Sequence, residues 1–351
     1  MTMLPRLPDN NSLATRRQKD NSELVLTPGQ VADRAAAFYR FQDYQQRRSE
    51  QTLRRQKADL ALFQEFLAYH GVSIEYSLFE TPVNWAEISW GLVEAFVKWQ
   101  LKEGYAINSV NVRLSTVKTY AKLAMQSQVL SPETYALIRS ITGYAHKEGL
   151  RVNEKRQIQR VGFKKDTPVL ITSEQAAALK QQPTNTPQGR RDGLLMCLLL
   201  DHGLRVSEVV PLTVGSLDLP HQLLIFYRKK VNKTQRHRLS DDTRKALELC
   251  STYGDFATPD TPLLRGSYKN KELSEEAMTD RAITHRVNFL GKLIGLANLS
   301  AHDCRHYWAT AAAHHGTDSF TLQEAGGWSS LAMPRRYIED NEVANEGILL
   351  E

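Results

Sequence analysis

Between Arg190 and Gly203 the chain reads RRDGLLMCLLLDHG, and the unbroken apolar run from Leu194 to Leu200 is its most restrictive feature. A helix that is apolar all round has no face to show to water and has to be buried. The run is also far too short for a bilayer, which takes about 20 residues to cross. It predicts a buried helix ending at Gly203.

At 351 residues the chain is long enough for two domains, each with its own core. The first part reads as helices from about Pro28. Leu53, Leu60, Phe63 and Leu67 fall at helical intervals and stop at His70-Gly71, and Leu92, Phe96 and Trp99 form a second stripe closing at Gly104. A third stripe, in INSVNVRLSTVKTYAKLA from Ile107, turns Val110, Leu114, Val117 and Ala121 inward. Its other side carries Ser115, Lys118 and Lys122 beside Arg113, which is either a solvated face or a set of phosphate contacts. Residues 28–150 are thus expected to form a helical domain, preceded by a flexible tail over 1–27. HKEGLRVNEKRQIQRVGFKKD follows, with Lys147, Arg151, Lys155, Arg156, Arg160, Lys164 and Lys165 among few acids. Residues 151–168 read as a basic linker, suited to lie along a phosphate backbone or simply solvated.

The second domain is expected over 169–337. Thr172 or Ser173 can cap a short helix. QLLIFYRKK and TQRHRLS read as two strands of an antiparallel hairpin turning at Val231-Asn232, and DDTRKALELC and DRAITHRVNFLGKLIGLA return to helix. The whole is mainly α with one small sheet. Cys197, Cys250 and Cys304 form no C-x-x-C pair, so a reducing compartment is expected rather than a disulfide framework or zinc knuckle. The N-terminus lacks the apolar stretch of a secretory signal, and a cytoplasmic protein without membrane association is expected. A net charge of +6 favours a polyanionic partner.

Chemistry-bearing residues crowd into LSAHDCRHYWATAAAHHGTDSFTLQEAGGWSSLAMPRRYIE, from Leu299 to Glu339. Ser300 with Asp303 has the form of a capping box, so a helix should start there and run to Gly316. His302 and Arg305 then share its first turn, where imidazole, guanidinium and the helix N-terminus suit an anionic oxygen. Upstream, GLRVSE sets Arg205 just past the helix-ending glycine, with Glu208 three residues on to brace it. His306 reads as structural, His314-His315 as a helix end, and Tyr307, Trp308 and Phe320 as core. Arg335 and Arg336 are either a solvated pair or cations that favour ionisation of Tyr337 or touch phosphate.

The order and spacing of GLRVSE, the lysine-bearing hairpin, HDCRH and EAGGWSS…RRYIE resemble the tyrosine recombinase (phage integrase) family. The tryptophan of GGW resembles the Cre-type branch, where it replaces a histidine common in other relatives. The resemblance covers residues from about 170 to the end, and the first domain is similar in helix content and length to the family's helical core-binding, SAM-like domain. It implies a two-domain clamp around duplex DNA, with a mixed α/β catalytic domain carrying a small antiparallel sheet. Tyr337 is implied as the nucleophile that forms a 3′-phosphotyrosine, Arg205 and Arg305 as the phosphate clamp, His302 as a proton-handling group, and Trp328 as a hydrogen-bond donor. Glu208 would orient Arg205. The hairpin lysine that protonates the leaving oxygen is Lys230 if KVNK matches the family's turn, or Lys229 if spacing from Arg205 decides; strand alternation would let only one face the site.

Exchange through a Holliday junction, without ATP, metal or other cofactor, is implied with it. Partners would be double-stranded DNA bearing inverted-repeat half-sites, and a homo-tetramer built from a dimer on each site. Accessory DNA-bending proteins are possible partners in a prokaryotic or phage-host nucleoid. The tail over 338–351 would be exchanged between protomers. DNA contacts are expected from Arg113, Lys118, Lys122, Arg151, Lys155, Arg156 and Arg160, and from Arg281, Thr284 and Arg286 at base edges. Two rival readings remain: a related type IB topoisomerase or telomere resolvase, and an inactive DNA-binding regulator on the same fold.

Overall fold

The structure is a computed structural model and describes residues 27–161 and 167–339. The expected tails over 1–27 and 338–351 fall almost wholly outside these residues, as do Lys164 and Lys165. The chain divides into two units, Met1–Phe163 and Lys164–Glu351.

The described part of the first unit is helical: α1 (Pro28–Phe38), α2 (Arg40–Gln46), α3 (Glu50–Tyr69), a 3-10 turn (Pro82–Trp85), α4 (Trp90–Lys102), α5 (Ile107–Gln126), α6 (Pro132–Ser140) and α7 (His146–Glu154). Ser49, Ser89 and Ser131 cap α3, α4 and α6 by accepting an amide three residues on. The stripes read from sequence are the core. Leu60, Phe63, Leu67, Phe96, Val110, Leu114, Val117 and Ala121 are buried, and Phe63, Phe66, Phe96 and Trp99 pack ring against ring. The basic stretch begins as helix rather than linker, since α7 runs to Glu154 with Glu148 accepting the Ala145 amide at its start.

The second unit contains α8 (Ser173–Lys180), α9 (Pro187–Leu200), the single turn α10 (Val206–Val209), β1 (Leu217–Asp218), β2 (Leu223–Arg228), β3 (Lys233–Arg238), α11 (Asp241–Thr252), β4 (Arg265–Ser267), β5 (Leu273–Ala277), α12 (Asp280–Leu293), α13 (Ala301–His314), α14 (Ser319–Gly326) and α15 (Ala332–Glu339). Helix α9 is the apolar run; every residue from Gly189 to Leu200 is buried. Its polar first turns survive burial by pairing. Arg190 donates through Nε and Nη2 to both oxygens of Asp255 at 2.7 and 2.9 Å, and Arg191 and Arg286 share Asp192. Strands β1-β2-β3 form an antiparallel sheet, and β4-β5 a second, two-stranded one. That second hairpin has no apolar alternation and was not legible in the sequence.

Phe320 is a correction. It is 71% exposed, because α14 buries Leu322 and Gly326 and a residue two before Leu322 points to the opposite side.

Candidate active site

Three turns of chain bring the site together. The first follows α9, where Gly203 adopts φ +59° and a Cβ there would lie 2.3 Å from the Trp308 ring. A side chain is excluded twice, by conformation and by contact. Past this turn Arg205 stands at the N-cap of α10, its amide donating to Glu208 Oε2 at 3.0 Å and its Nη1 to Oε1 at 2.7 Å. The brace expected from the i+3 spacing is thus a two-point clasp on a 4% exposed carboxylate.

The second turn is the β2–β3 hairpin. Leu224, Phe226 and Arg228 alternate inward along β2, and Arg228 is completely buried. Its Nη1 donates to Glu208 Oε1 at 3.2 Å and to the Gly326 carbonyl at 2.7 Å, and its Nη2 to the Ala325 carbonyl at 2.6 Å. Sequence reading missed this residue although the period-two signal was there: its charge argued against a core position. Strand alternation does not separate the two lysines. Strand β2 ends at Arg228, so Lys229 and Lys230 both lie in the exposed turn and share no strand face to divide.

The third is the end of α14. Gly327 closes it in the left-handed region at φ +60°, and its carbonyl accepts from Arg205 Nη2 at 3.3 Å. The Gly326 carbonyl accepts from Arg305 as well as Arg228, and Arg305 also holds the Gly203 carbonyl. Carbonyls at a helix C-terminus carry partial negative charge and suit guanidinium donors. Burial, then repulsion from Arg205 and Arg228, pushes the Arg305 guanidinium down to about 9; burial chiefly brings Arg228 down to about 10. Both stay charged at neutral pH, in a centre where Glu208 is the carboxylate bonded to Arg205 and Arg228.

Beside the arginines lies an aromatic cluster. Arg305 stands 4.5 Å from the Trp328 ring centroid, and Trp328 packs against Trp308 and, at 5.9 Å, against Tyr337. Tyr337, on α15, is 5% exposed, and its Oη lies 3.1 Å from His306 Nδ1. His306 Nε2 lies 3.0 Å from His302 Nε2. His306, expected to be merely structural, therefore touches the phenol and joins it to His302; the i, i+4 spacing from His302 was the available signal. Burial first, then the neighbouring His302, Arg336 and Arg305 charges, holds the His306 imidazole below the usual histidine range. Arg205, Glu208, Arg305, Trp328, His302 and Tyr337 are thus gathered within one unit, while Lys230 stands exposed at the hairpin tip.

The expected DNA contacts divide. Lys122, Arg151, Lys155, Arg281 and Thr284 are exposed. Others are committed inside the molecule. Arg286 binds Asp192 and Gln188, Arg113 donates to Gln100 and stacks on Tyr105, Lys118 donates to the carbonyls ending α6, and Arg156 holds the Tyr105 carbonyl. Arg286 is thereby tied to a buried carboxylate, and Arg113 to an amide and a ring within its own unit. Arg160 is half-buried.

Residues 170–343 match the phage integrase family, and residues 36–128 match the phage integrase N-terminal SAM-like domain. The chain is 27% identical over 215 residues to the tyrosine recombinase XerD of Neisseria meningitidis serogroup B, covering 59% of this chain and 71% of that one. It is 26% identical over 311 residues to the tyrosine recombinase XerC of Chlamydia muridarum, covering 84% and 90%. Its fold is that of a Tn1549 transposon integrase solved with transposon right end DNA (TM-score 0.57, 14% identity, 87% of this chain and 94% of that one). It is also that of a lambda integrase tetramer bound to a Holliday junction (TM-score 0.55, 14% identity, 90% and 80%).

Proposed function

The chain belongs to the phage integrase family and is a tyrosine recombinase, and from that premise we propose that it cleaves and rejoins duplex DNA at a specific site through Tyr337. The observation that carries this reading is the gathering of Arg205, Arg228 and Arg305 on the carbonyls of residues 325–327, with the Tyr337 ring packed on Trp328 beside them. Three buried or half-buried guanidiniums around Glu208 leave an excess of positive charge in a low-dielectric setting. A phosphodiester anion relieves that excess, and a pentavalent phosphorane relieves it more, which is the differential binding that lowers a barrier.

In the reaction Tyr337 Oη attacks the scissile phosphorus, giving a 3′-phosphotyrosine and releasing the 5′-oxygen. Arg205 and Arg305 hold the non-bridging oxygens, their planar forks suiting two oxygens at once. Trp328 donates from its indole N–H, and Lys230 swings in from the exposed hairpin tip to protonate the leaving oxygen. The phosphotyrosine conserves the bond energy, so religation to a second strand needs no ATP. Two such exchanges pass through a Holliday junction, carried out by a tetramer with a dimer on each inverted-repeat site. Both units contact the duplex.

The test begins with selection of bound sequences from random duplexes. A nicked suicide duplex carrying the selected site should then trap a covalent protein–DNA adduct with the wild type and none with Tyr337→Phe. No wild-type adduct, or an undiminished one with Tyr337→Phe, removes the assignment.

A further inference from the structure

The phenol of Tyr337 does not face open solvent. Its hydroxyl meets an imidazole, and that imidazole meets another: Oη to His306 Nδ1 at 3.1 Å, then His306 Nε2 to His302 Nε2 at 3.0 Å. The two nitrogens of His306 lie on opposite edges of its ring, so a single side chain bridges nucleophile and His302. We propose that His306 is the immediate proton acceptor for Tyr337 and relays the proton to His302; this rests on Tyr337 being the nucleophile.

The step balances without an outside reagent. The Tyr337 Oη–H proton passes to His306 Nδ1 as the Oη–P bond forms. The proton on His306 Nε2 passes to His302 Nε2, leaving His306 neutral and His302 the cation beside the phosphate. The P–O5′ bond breaks and its oxygen takes a separate proton from Lys230. Religation runs the relay backwards and returns the phenol proton. A phenol ionises near ~10, so at neutral pH an acceptor in hydrogen-bond contact is what gives it nucleophilic character.

The surroundings fit this role. His306 is half-buried and lines a cleft of about 680 Å³ with Tyr337, Arg336 and Glu174. The charged groups acting on it are His302, Asp303 and Arg305 from its own helix and Arg336 from α15, with Tyr337 in contact, and Glu174, Tyr307, His314 and His315 line the same cleft. Burial and three of these neighbours keep its imidazole neutral near pH 7, the form that can accept. The ring edge-to-face with His302, at 4.5 Å between centroids, holds the pair in place.

The test uses the full chain and the nicked suicide duplex carrying the selected site. His306→Ala should slow adduct formation roughly a hundredfold or more, the range of a lost proton acceptor, with duplex affinity unchanged. His306→Asn sets an amide where Nδ1 stood; it can still hold the hydroxyl but cannot take up a proton. It should be as slow as alanine. The pH profile should change shape: flat above neutrality in the wild type, rising about tenfold per pH unit from 7 to 9 in both variants as hydroxide replaces the lost acceptor. A 5′-bridging sulfur, whose thiolate leaves without protonation, should rescue Lys230→Ala and leave His306→Ala slow. A near-normal rate with His306→Asn, parallel pH profiles, or sulfur rescue of His306→Ala each overturns the relay. Failure of the Tyr337→Phe control is a separate result, which removes the nucleophile and leaves no role to assign.

Discussion

The catalytic unit buries two groups of arginines and treats them in opposite ways. Around the start of α9, Arg190 is matched by both oxygens of Asp255, and Arg191 and Arg286 converge on Asp192. Around the end of α14, Arg228 and Arg305 are held largely by backbone carbonyls, with Glu208 shared between Arg205 and Arg228. The pairing raises the Arg190 guanidinium above its ordinary range, although burial still lowers Arg191; Arg228 and Arg305 are driven down to about 10 and about 9. A buried cation satisfied by carboxylates belongs to the architecture. One satisfied mainly by dipoles retains its net charge, and that charge is free to act on a ligand.

The contrast can be broken most severely by exchanging the expected roles. Arg305→Ala should reduce adduct formation by roughly a thousandfold, the upper range for losing one transition-state donor, while the denaturant midpoint of unfolding stays or rises. Asp255→Ala should do the reverse, costing about 3–5 kcal/mol in urea unfolding by stranding Arg190, with the folded fraction still active. If instead Asp255→Ala leaves stability intact and Arg305→Ala unfolds the chain, the two groups have been misassigned. A gentler probe is inorganic phosphate. At a hundredfold excess over its dissociation constant it should add about 2.7 kcal/mol to wild-type stability, and the effect should vanish in Arg305→Ala and persist in Arg286→Ala.

A pH-dependent effect comes from the histidines near the arginine centre. Burial holds His202 down to about 4 and His237 down to about 3, with Arg228 and Arg305 contributing to the latter. Both are neutral when folded but take up a proton near 6.5 when unfolded. Their contribution is therefore complete above about pH 6.5 and is lost as the pH falls toward 4. Thermal melts should decline over that window, and His237→Phe should flatten the decline; an unchanged slope would exclude His237 as its source.

The sequence made the scaffold of this centre readable where one residue type has one physical outcome. The apolar run could only be an interior helix, Gly203 could only be a turn, and Ser300 with Asp303 formed the expected cap. The stripe of α5 likewise appeared with Val110, Leu114, Val117 and Ala121 buried. Legibility failed where a charge had two fates. Arg286 and Asp192 are 94 residues apart, and nothing local announces their pairing. Arg228 carried a legible alternation but a misleading polarity, and Phe320 the reverse: an apolar ring on the solvent side of a short helix. His306 stood one helical turn past His302, yet its contact with Tyr337 depends on α15 packing against α13, which no spacing rule supplies.

Gly326 and Gly327 are notable for what they lack. A methyl group on Gly326 would sit 2.0 Å from the Trp328 ring, and one on Gly327 2.6 Å from Arg228 Cδ. Enlarging either by one carbon would therefore disturb indole, guanidinium and the carbonyl sockets together, so the smallest residues in the segment set the tolerance of the whole cationic assembly.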